Sequence, residues 1–596
     1  MSTLTKQSRD GKKPKVNWAR IEEADHFAEM VKKFRQGKLE PDLFRRFRLQ
    51  NGAYGTRMTD DYAMVRVKLP AGEVYPHQLE RLATLSEQYS IGSAHVSTRQ
   101  NLQLHWVILE DVSEIMRSLA EVGLTSREAC GNAVRNVMCS PLAGVCKDEE
   151  FDVTPYAIAT AKFFLRNPLN QSLPRKFKFN FTCCEKHGMA RMVDVGLIPQ
   201  MRTINGQSRR GFKIFLGGGL GNKSFVGHQL EDWTPEEDLL YTSIATIRIF
   251  DRLGDRKHLE RNRMRYLVDS MGWEQFQSLV LKERALVKMA QSVIVKLSVD
   301  STPQKIENNV RITGFDGKSI PDGFSRWRKG NTFAQKQPGY YSVSITLEAG
   351  DITANQLRTI SEVSKDFSAE GYARTGFVQD IYLRFVAESD LPRLYAKLID
   401  VGLANPGSLT MVHPVGCSGT TSCNLALTNS HRLAKEIQRK FIELKLDQDD
   451  DLRESSIKIS GCPNSCGQHE IATIGFFGGG GRTGKDMYPV YQMSLGGRSD
   501  GETMLGVNVM RIPAKRVIPA VLKLVETFKA NKNQDDDLKS WIHKVITGHA
   551  NSQVRTVDDI KKILLPFTQA PSIEQDKDFY ADYGRDRKST RLNSSH

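Results

Sequence analysis

The chain has 596 residues, of which 39% are hydrophobic and 26% charged, and its formal net charge at pH 7 is +15. This composition is typical of a globular protein of about three or four domains, and no apolar run is long enough to span a bilayer. The positive charge would suit a nucleic-acid-binding protein, but no helix-turn-helix, zinc-finger or RNP pattern accompanies it. A positive surface also suits an anionic substrate, a polycarboxylate cofactor or an acidic partner protein.

The N-terminal arm, residues 1–50, is polar and basic up to about residue 20, which predicts disorder there. From Trp18 to Phe47 apolar residues recur at helical spacing, and the stretch ends in several arginines. We therefore predict one amphipathic helix that leads into the first folded domain.

An internal repeat begins after this arm and governs the rest of the chain. The alternating segment VRVKLPAG at 65–72 returns as VSITLEAG at 343–350, and each predicts a strand that ends at glycine. Helices with one apolar stripe follow in both copies. The stripe residues Leu79, Leu82, Leu85, Tyr89, Ile115, Leu119 and Val122 correspond to Leu357, Ile360, Val363, Phe367, Leu394, Leu398 and Val401. The two copies of each motif are separated by about 279 residues throughout, which indicates duplication rather than chance patterning.

The repeat extends beyond these helices, because FLGG at 215–218 corresponds to SLGG at 494–497. We predict an α+β fold of two tandem modules, each a smaller α/β half followed by a larger α/β domain. The predicted units are 51–125, 126–300, a connector at 301–338, 339–405, 406–550 and a polar C-terminal tail at 551–585. Residues 586–596 look like translated sequencing-adapter read-through and are excluded from the fold prediction.

Four short basic motifs stand out in the first module. Arg66 lies inside a strand where an apolar residue would be the default. TRQNLQLH at 98–105 alternates as a strand, which would place on one face Arg99, Asn101, Gln103 and His105. The motifs NAVRN at 132–136 and LPRKFK at 173–178 add Arg135, Arg175, Lys176 and Lys178. Each residue alone is typical of a solvated surface charge, but arginine also holds anions with its planar fork, and buried lysine can donate protons.

Two cysteine pairs lie in loops of the second module. Cys417 and Cys423 belong to GCSGTTSC at 416–423, and Cys462 and Cys466 belong to SGCPNSCG at 460–467. Small residues allow the backbone to wrap closely around an inorganic core, and four thiolates are the ligand count of a cubane iron–sulfur cluster. Both spacings are wider than the pairs of a zinc knuckle. Two disulfides are the alternative, but no secretory signal is recognisable, and we predict a reducing, cytoplasmic compartment.

The two cysteine motifs resemble the cluster motif of the sirohaem-dependent sulfite and nitrite reductases, and the resemblance extends over roughly residues 40–560. It implies ferredoxin-like half-domains that pair with each other, and two homologous domains that enclose sirohaem and a [4Fe–4S] cluster about a pseudo-twofold axis. It also implies that the last cysteine, Cys466, bridges the cluster and the sirohaem iron. Electrons would cross between the cofactors through its sulfur.

The same resemblance implies roles for the basic motifs. The substrate-binding cations would be Arg66, Arg135, Lys176 and Lys178. The shell around the sirohaem carboxylates would contain Thr98, Arg99, Gln103, His105 and Arg175, with Asn464 contacting the macrocycle from the second module. For Thr98, Gln103 and His105, ordinary packing on a strand face is the alternative. Several relatives have arginine at the position of His95, which puts one carboxylate contact in doubt. At the position that corresponds to Arg99, the second module has Val378. The first module would therefore supply the cations of the site, and the second module would supply the cysteines.

The remaining cysteines and glycine runs predict less. Cys139, Cys146, Cys183 and Cys184 lie near positions equivalent to the cluster ligands, and we predict buried thiols there rather than a second cluster. Cys130 is expected in the core, near Tyr54. The glycine runs at 217–219 and 478–481 do not fit a nucleotide-binding motif. The chain should therefore take electrons from another protein. The helix from Arg432 to Phe441 should pack behind the cysteine loops.

The sequence predicts a reductase that carries six electrons to sulfite and releases sulfide, with an acidic donor protein such as ferredoxin and with neither a nucleic acid nor a membrane as partner. Nitrite reduction to ammonia is the close alternative. Lys178 is typical of sulfite enzymes, and two lysines suit the more highly charged anion, whereas the Ser-Gly-Thr filling after Cys417 is more similar to nitrite enzymes. A non-catalytic basic protein that binds nucleic acid or acts as a scaffold is the alternative from another class.

Overall fold

The computed structural model describes residues 14, 16–57, 59, 61–290 and 321–584. Three predictions therefore lie outside the described residues: most of the disordered start of the arm, residues 301–320 of the connector, and the adapter-like segment 586–596. The helices that are described are all too short or too polar to cross a membrane.

The N-terminal arm forms two helices where the sequence predicted one. Helix α1 covers Glu22–Arg35 and α2 covers Pro41–Gln50. The chain turns between them because Gly37 adopts a left-handed φ of 68° and because Pro41, which lacks a backbone N–H, favours the first turn of a new helix. Phe27 and Phe44 are buried against the first half-domain, so the arm is part of the core.

The first half-domain consists of short strands and two helices. Its strands are β1 (Ala53–Gly55), β2 (Tyr62–Val67), β3 (Glu73–Val74), β4 (Ser93–Val96) and β5 (Leu102–Ile108). Its helices are α3 (Pro76–Tyr89) and α4 (Val112–Glu121). The predicted stripe faces inward, since Leu79, Leu82 and Leu85 are fully buried.

The larger domain of the first module follows. Its strands are β6 (Met138–Cys139), β7 (Phe179–Phe181), β8 (Val195–Ile204), β9 (Gln207–Leu216), β10 (His228–Gln229) and β11 (Thr234–Pro235). Its helices are α5 (Thr154–Phe164), α6 (Leu239–Leu253), α7 (Met264–Met271) and α8 (Trp273–Met289). Strands β6, β7 and β8 are parallel, and β9 returns antiparallel to β8. The loops after β6 and β7 therefore lie at the same edge of this sheet.

The second module repeats this order. Its half-domain contains α9 (Phe324–Asn331), β12 (Thr332–Ala334), β13 (Tyr340–Ile345), β14 (Asp351–Thr353), α10 (Ala354–Phe367), β15 (Ala373–Thr375), β16 (Ile381–Ala387) and α11 (Leu391–Ile399). Its larger domain contains β17 (Val415–Gly416), α12 (Ser430–Glu443), β18 (Ile457–Ser460), β19 (Ile474–Thr483), β20 (Asp486–Leu495), β21 (Val507–Pro513), α13 (Val517–Asn531), α14 (Leu538–Thr547) and α15 (Val557–Leu564). Strands β17, β18 and β19 are again parallel.

The two half-domains exchange strands. The first sheet has the order β1-β2-β5-β4-β14, and its last strand comes from the second half-domain. The other sheet has the order β12-β13-β16-β15-β3, and its last strand comes from the first half-domain. Helices α3 and α10 pack together, with Ser361 Oγ donating to Pro76 O at 3.0 Å. One hydrophobic core therefore runs through both half-domains, and the predicted pairing about a pseudo-twofold axis is confirmed.

Two segments are more ordered than the sequence predicted. Within the connector, helix α9 buries Phe324 and Trp327 in the shared core, and β12 pairs with β13. In the C-terminal tail, α15 buries Ile560 and Leu564. The prediction for the helix behind the cysteine loops is confirmed, since Leu433, Ile437 and Phe441 of α12 are fully buried. The exact limits of the predicted domains stay a prediction.

Candidate active site

A row of polar side chains crosses the first half-domain sheet. Arg66 on β2 lies opposite Gln103 on β5, Gln103 lies opposite His95 on β4, and His95 lies opposite Asp351 on the exchanged strand β14. Directly opposed residues share one face of a sheet, so these four project together. Asp351 Oδ1 accepts from His95 Nδ1 at 3.1 Å. This register explains why Arg66 interrupts an apolar strand, because its neighbours Val65 and Val67 face the buried core.

The stretch from Thr98 to Asn101 is a turn, so the predicted strand is wrong there. Strand β5 begins only at Leu102, and Gln100 adopts a left-handed φ of 55°. Arg99 leaves the sheet and donates through Nη2 to Asn136 O at 2.8 Å, which ties it to the Arg135 loop. Gln103 and the half-buried His105 both lie on β5. The ring centroids of His105 and His95 are 6.0 Å apart.

Arg135 is anchored by the backbone around it. Its Nε donates to Gly131 O at 2.9 Å and its Nη1 to Ala129 O at 3.1 Å. Tyr54 connects it to Arg66: the Tyr54 hydroxyl oxygen accepts from Arg135 Nη2 at 3.4 Å, and the Tyr54 ring centroid lies 5.0 Å from Arg66 Cζ. Cys130 is fully buried beside this tyrosine, as the sequence predicted. The two arginines are therefore held in fixed positions.

Lys176 and Lys178 lie on either side of Phe177, which is buried and bridges to Val134. Strand β7 begins only at Phe179, so both lysines precede the regular strand. Both side chains are half-buried, and among the described residues neither ammonium group has a hydrogen-bond or ion-pair partner. Arg175 is half-buried beside them. Cations without a carboxylate partner at partly buried positions are typical of an anion site.

The pKa values report how crowded these cations are. Burial, followed by Arg263 and Arg135, lowers the pKa of Lys176 to about 7. Burial and the same Arg263 hold the pKa of Lys178 well below its usual range, and burial lowers the pKa of Arg99 to about 9. Each shift disfavours the charged form. An anion bound among these groups would oppose all three shifts, because a nearby opposite charge favours the charged form.

Arg263 and Arg265 belong to this cluster and were missed in the sequence. Arg263 Nη2 donates to both carboxylate oxygens of the buried Asp194, at 2.9 and 3.1 Å. Arg265 Nε donates to Lys223 O at 2.8 Å. Both arginines flank the start of α7 and lie outside the four basic motifs. Their charge is not distinctive in a chain with 84 lysines and arginines.

The two cysteine loops of the second module touch each other. A Cβ on Gly461 would lie 2.9 Å from Gly419 Cα and 2.8 Å from Thr428 O, which explains why small residues fill both motifs. Gly461 N donates to Cys417 Sγ at 3.2 Å, an arrangement that stabilises a thiolate. Burial nevertheless raises the pKa of Cys417 to about 12 and that of Cys462 to about 11. The thiolate forms therefore need a nearby positive charge, which a metal centre supplies.

The four cysteines are spaced more widely than a single ion requires. No three of their sulfur atoms lie mutually within 4.8 Å, although such groups occur elsewhere in the described chain. Cys462 is buried, Cys417 and Cys423 are half-buried, and Cys466 is exposed. Cys466 and Asn464 are thus the exposed residues of the second cysteine motif, and a bound group can reach both side chains. The chemistry and the spread of these donors fit a cluster of several metal atoms.

The cation site and the cysteine site adjoin across the two modules. Thr98 Oγ1 donates to Cys466 O at 3.0 Å, and Gln468 Nε2 donates to Thr98 O at 3.4 Å. Burial opposes the charge of Arg66, but nearby groups that include Cys466 raise its pKa above the usual value. The charge of Lys176 also interacts with Cys466. A single composite site between the duplicates follows from these contacts.

The site has the features that an acidic macrocycle requires. Arg66 Nε, Arg99 Nε and Arg265 Nη1 are buried, yet they have no hydrogen-bond partner in the part of the chain that the structure describes. Buried guanidinium nitrogens normally have one, so these three nitrogens are suited to an acceptor on a bound ligand. Gly219 and Gly221 leave space beside Arg265, since a Cβ on either would lie 3.1 or 3.0 Å from its guanidinium. The carboxylates of sirohaem would supply such acceptors.

Comparison with known proteins decides the family. The nitrite and sulphite reductase 4Fe-4S domain matches residues 130–289 and 409–557, more than half of the chain. The nitrite/sulfite reductase ferredoxin-like half domain matches residues 54–122 and 333–401. The chain belongs to the nitrite and sulfite reductase family. Its cofactors are sirohaem and a [4Fe–4S] cluster, as the resemblance of the cysteine motifs implied.

Some relatives of this reductase are named nitrite reductases, and others are named sulfite reductases. The chain is 26% identical over 81% of its length to an assimilatory ferredoxin-dependent nitrite reductase of Haloferax mediterranei, of which 82% is covered. It is 25% identical over 80% of its length to sulfite reductase [ferredoxin] 1 of Mycolicibacterium paratuberculosis, again with 82% covered. The NirA protein of Mycobacterium tuberculosis has the same fold, with a TM-score of 0.73 and 22% identity over 87% of this chain and 94% of that one.

Proposed function

We propose that this reductase catalyses the six-electron reduction of sulfite to sulfide, SO₃²⁻ + 6e⁻ + 8H⁺ → H₂S + 3H₂O. The observation that carries the proposal is the pair Lys176 and Lys178 near Arg263, two lysines whose side chains have no hydrogen-bond or ion-pair partner among the described residues. Two lysines together with arginines suit an anion with two charges and three oxygens, since Coulomb attraction grows with the product of the charges.

The cysteines and the basic shell would hold the cofactors. Cys417, Cys423, Cys462 and Cys466 are the proposed cluster ligands, and the exposed Cys466 sulfur is the one available to a second metal centre. Thr98, Arg99, Gln103, His105, Arg175 and Asn464 are the proposed contacts of sirohaem. When bound, the two cofactors would carry electrons from the donor protein and supply the iron that binds the substrate.

The remaining chemistry belongs to side chains of the first module. Arg66 and Arg135 would hold the substrate oxygens, since a guanidinium stays charged throughout the reaction. Lys176, whose pKa is lowered to about 7, would give up a proton from Nζ near neutral pH. Lys178 would stabilise the negative charge of the bound anion. Each oxygen leaves as water after two protons reach it, so a renewable donor beside the oxygens is required.

Nitrite reduction to ammonia, NO₂⁻ + 6e⁻ + 8H⁺ → NH₄⁺ + 2H₂O, is the second candidate. Residues Ser418, Gly419 and Thr420, between the first two cysteines, favour it because they are similar to the filling in nitrite enzymes. Several relatives at 26–28% identity also bear the name nitrite reductase. The same cysteines and cations would serve this reaction, so the choice depends on the charge around the anion.

The test is steady-state kcat/KM for both anions with a reduced viologen, on the wild type and on Lys178→Asn. We expect the wild type to prefer sulfite. Loss of one charged hydrogen bond should cost about 1.5–3 kcal/mol, a roughly 10- to 150-fold loss for sulfite, with a smaller loss for nitrite. Lys397→Asn is the control, because Lys397 is an exposed lysine paired with Glu362 on the second half-domain. A wild type that prefers nitrite would overturn the proposal, and an unchanged preference in Lys178→Asn would remove its physical basis.

We further propose ferredoxin as the electron donor. The net charge of +15 would attract an acidic donor protein, and relatives named ferredoxin-dependent support the choice. The expected result is that kcat/KM for reduced ferredoxin falls steeply with ionic strength, while turnover with the small dye changes little. Equal salt dependence with both donors would contradict an electrostatically guided encounter.

A further inference from the structure

A second group of metal-ligand side chains lies in the first module. Cys146, Cys183, Cys184 and His187 present three sulfurs and one imidazole nitrogen that all lie within 4.8 Å of one another. The three cysteines are buried. Cys146 is in the loop after β6, and the other three residues are in the loop after β7. Because β6 and β7 are parallel neighbours, both loops emerge at the same sheet edge.

The spacing of the four ligand atoms is close to that of a tetrahedron around one ion. Four ligands about 2.0–2.3 Å from a zinc ion at tetrahedral angles stand roughly 3.3–3.8 Å apart. Cys184 Sγ lies 3.8 Å from Cys146 Sγ and 4.0 Å from Cys183 Sγ. His187 Nδ1 lies 3.5, 4.0 and 3.1 Å from the sulfurs of Cys146, Cys183 and Cys184. The group is thus compact enough for a single ion.

The position of this group in the duplicated fold is informative. Gly196 on β8 corresponds to Gly475 on β19, and counting back with the same offset places Cys183 at the position of Cys462 and His187 at that of Cys466. Both segments end in a glycine, at 188 and 467. The group therefore occupies, in the first module, the place that the cysteine loops occupy in the second.

We infer that Cys146, Cys183, Cys184 and His187 bind one zinc ion, which connects the two loops at the edge of the first module. Three thiolates and one imidazole are a common donor set of structural zinc sites, and four protein ligands leave no open position for catalysis. A cubane does not fit, because adjacent cysteines and sulfurs about 4 Å apart span too small a volume.

The ion would stabilise the contact between the modules. The loop that contains Cys146 is contacted from the second module by Lys336 N, which donates to Val145 O at 3.0 Å, and by Gln337 Nε2, which donates to Gly144 O at 2.9 Å. The loop that contains Cys184 is contacted by Gly501 N, which donates to Glu185 O at 2.9 Å. Both loops thus take part in the inter-module contact, so fixing them in place fixes part of that contact.

The experiment is elemental analysis of the holoenzyme purified under reducing conditions. We expect one zinc per chain, in addition to the cofactor iron, that survives dialysis against a chelator. Cys146→Ser and Cys184→Ser should each lose this zinc. Cys139→Ser is the matched control: Cys139 is fully buried in the same domain, but it lies outside the group, near Thr154, and this variant should keep the zinc.

X-ray absorption at the zinc edge of the wild type keeps the inference testable if the serine variants do not fold. The expected shell is three sulfurs at about 2.3 Å and one nitrogen at about 2.0–2.1 Å. Holoenzyme with reduced thiols and no zinc would overturn the inference, as would iron in place of zinc or a disulfide among the three cysteines. Zinc content does not depend on turnover, so this result is separate from the choice between sulfite and nitrite.

Discussion

The two modules share a backbone but not a chemistry. At equivalent positions the first module has Arg99, Ser140 and His187, and the second has Val378, Cys417 and Cys466. The first module gathers several cations around Lys176, while the second gathers four cysteines in two small-residue loops. The comparison teaches that the duplicated strands preserve where the loops lie. Residues in those loops, together with a few strand residues such as Arg66, decide which half of the active site each copy becomes.

Positions that maintain the interface have stayed alike in both modules. Gly72 and Gly350 have left-handed φ values of 76° and 85°, and each abuts a backbone carbonyl of the other half-domain. Gln100 and Gln379 correspond in the same way, each with a left-handed φ. Gln100 Nε2 donates to Thr375 O at 2.6 Å and Gln379 Nε2 to Val96 O at 3.3 Å. Symmetry is thus retained in the packing and lost in the chemistry.

The largest effect should come from exchanging sulfur for oxygen at two cysteines near the ends of the equivalent strands β6 and β17. Cys417→Ser should abolish activity with both anions, because serine is a poor ligand for iron at neutral pH and the cluster should be lost. Cys139→Ser should keep the cofactors and the activity, since Cys139 is a core thiol. Iron, acid-labile sulfide and the visible spectrum measure both variants. Loss of iron in both variants, or in neither, would contradict the proposed asymmetry.

A second, smaller effect should come from the cation that titrates near neutral pH. The pKa of Lys176 is lowered to about 7, so its protonated form is lost as the pH rises through 7. We expect kcat/KM for the anion to fall above that pH. Lys176→Met should lower the acid-side value by about 10- to 150-fold and remove this limb of the profile.

Lys176→Arg is the control for this profile, because arginine keeps its charge but does not release a proton near neutrality. It should restore much of the anion affinity, seen as KM, without restoring kcat. An alkaline limb that persists in Lys176→Met would assign the titration to a different group.

The symmetric glycines offer a third test, in which the two modules should behave alike. A Cβ at residue 72 would lie 2.5 Å from Thr375 O, and one at residue 350 would lie 2.6 Å from Val96 O. Gly72→Ala and Gly350→Ala should each destabilise the protein by about 2 kcal/mol or more, through strain and displaced backbone. Gly402→Ala combines a φ of 70° with open space and should cost less. Thermal unfolding of the holoenzyme checks the order.

The smallest effect should come from the hydrogen bond that joins the two halves of the site. Thr98→Val keeps the shape but leaves Cys466 O without its donor, which should cost about 1 kcal/mol. We expect a less than tenfold change in kcat and a small shift of the cofactor absorption. Thr84→Val removes a hydrogen bond within α3, to Glu80 O, and should leave the absorption unchanged. Identical spectra for wild type and Thr98→Val would contradict the coupling.

The duplication could be predicted from sequence because helix stripes and the loops after them keep one offset. The strand exchange could not, because β3 and β14 contain only two and three residues, too few to reveal a period. The turn at Gln100 was predicted as a strand because the alternation of polar and apolar residues continues through it. A left-handed φ is unusual for glutamine, so the residue type gives no sign of the turn.

The candidate site was predictable to the extent that it consists of compact motifs. The four basic motifs of the first module do come together with the cysteine loops of the second. Arg263 and Arg265 were missed because only the fold brings them close to the site. Arg263 lies near Lys176, and Arg265 lies beside Gly219 and Gly221. The helix break at Gly37 was missed because the helical spacing of apolar residues continues on both sides of it. The burial of Phe579 and Tyr580 was missed because the surrounding sequence is polar.

The exchanged strands have a consequence for how such a chain could arise and be divided. Each exchanged strand, β3 or β14, completes a sheet whose other members belong to the opposite duplicate. Two identical polypeptides that swapped arms would form the same arrangement. Severing the polypeptide between residues 290 and 321 would therefore leave two pieces with incomplete sheets. Co-expressed as separate genes, the pieces should recover a whole enzyme only by reassociating.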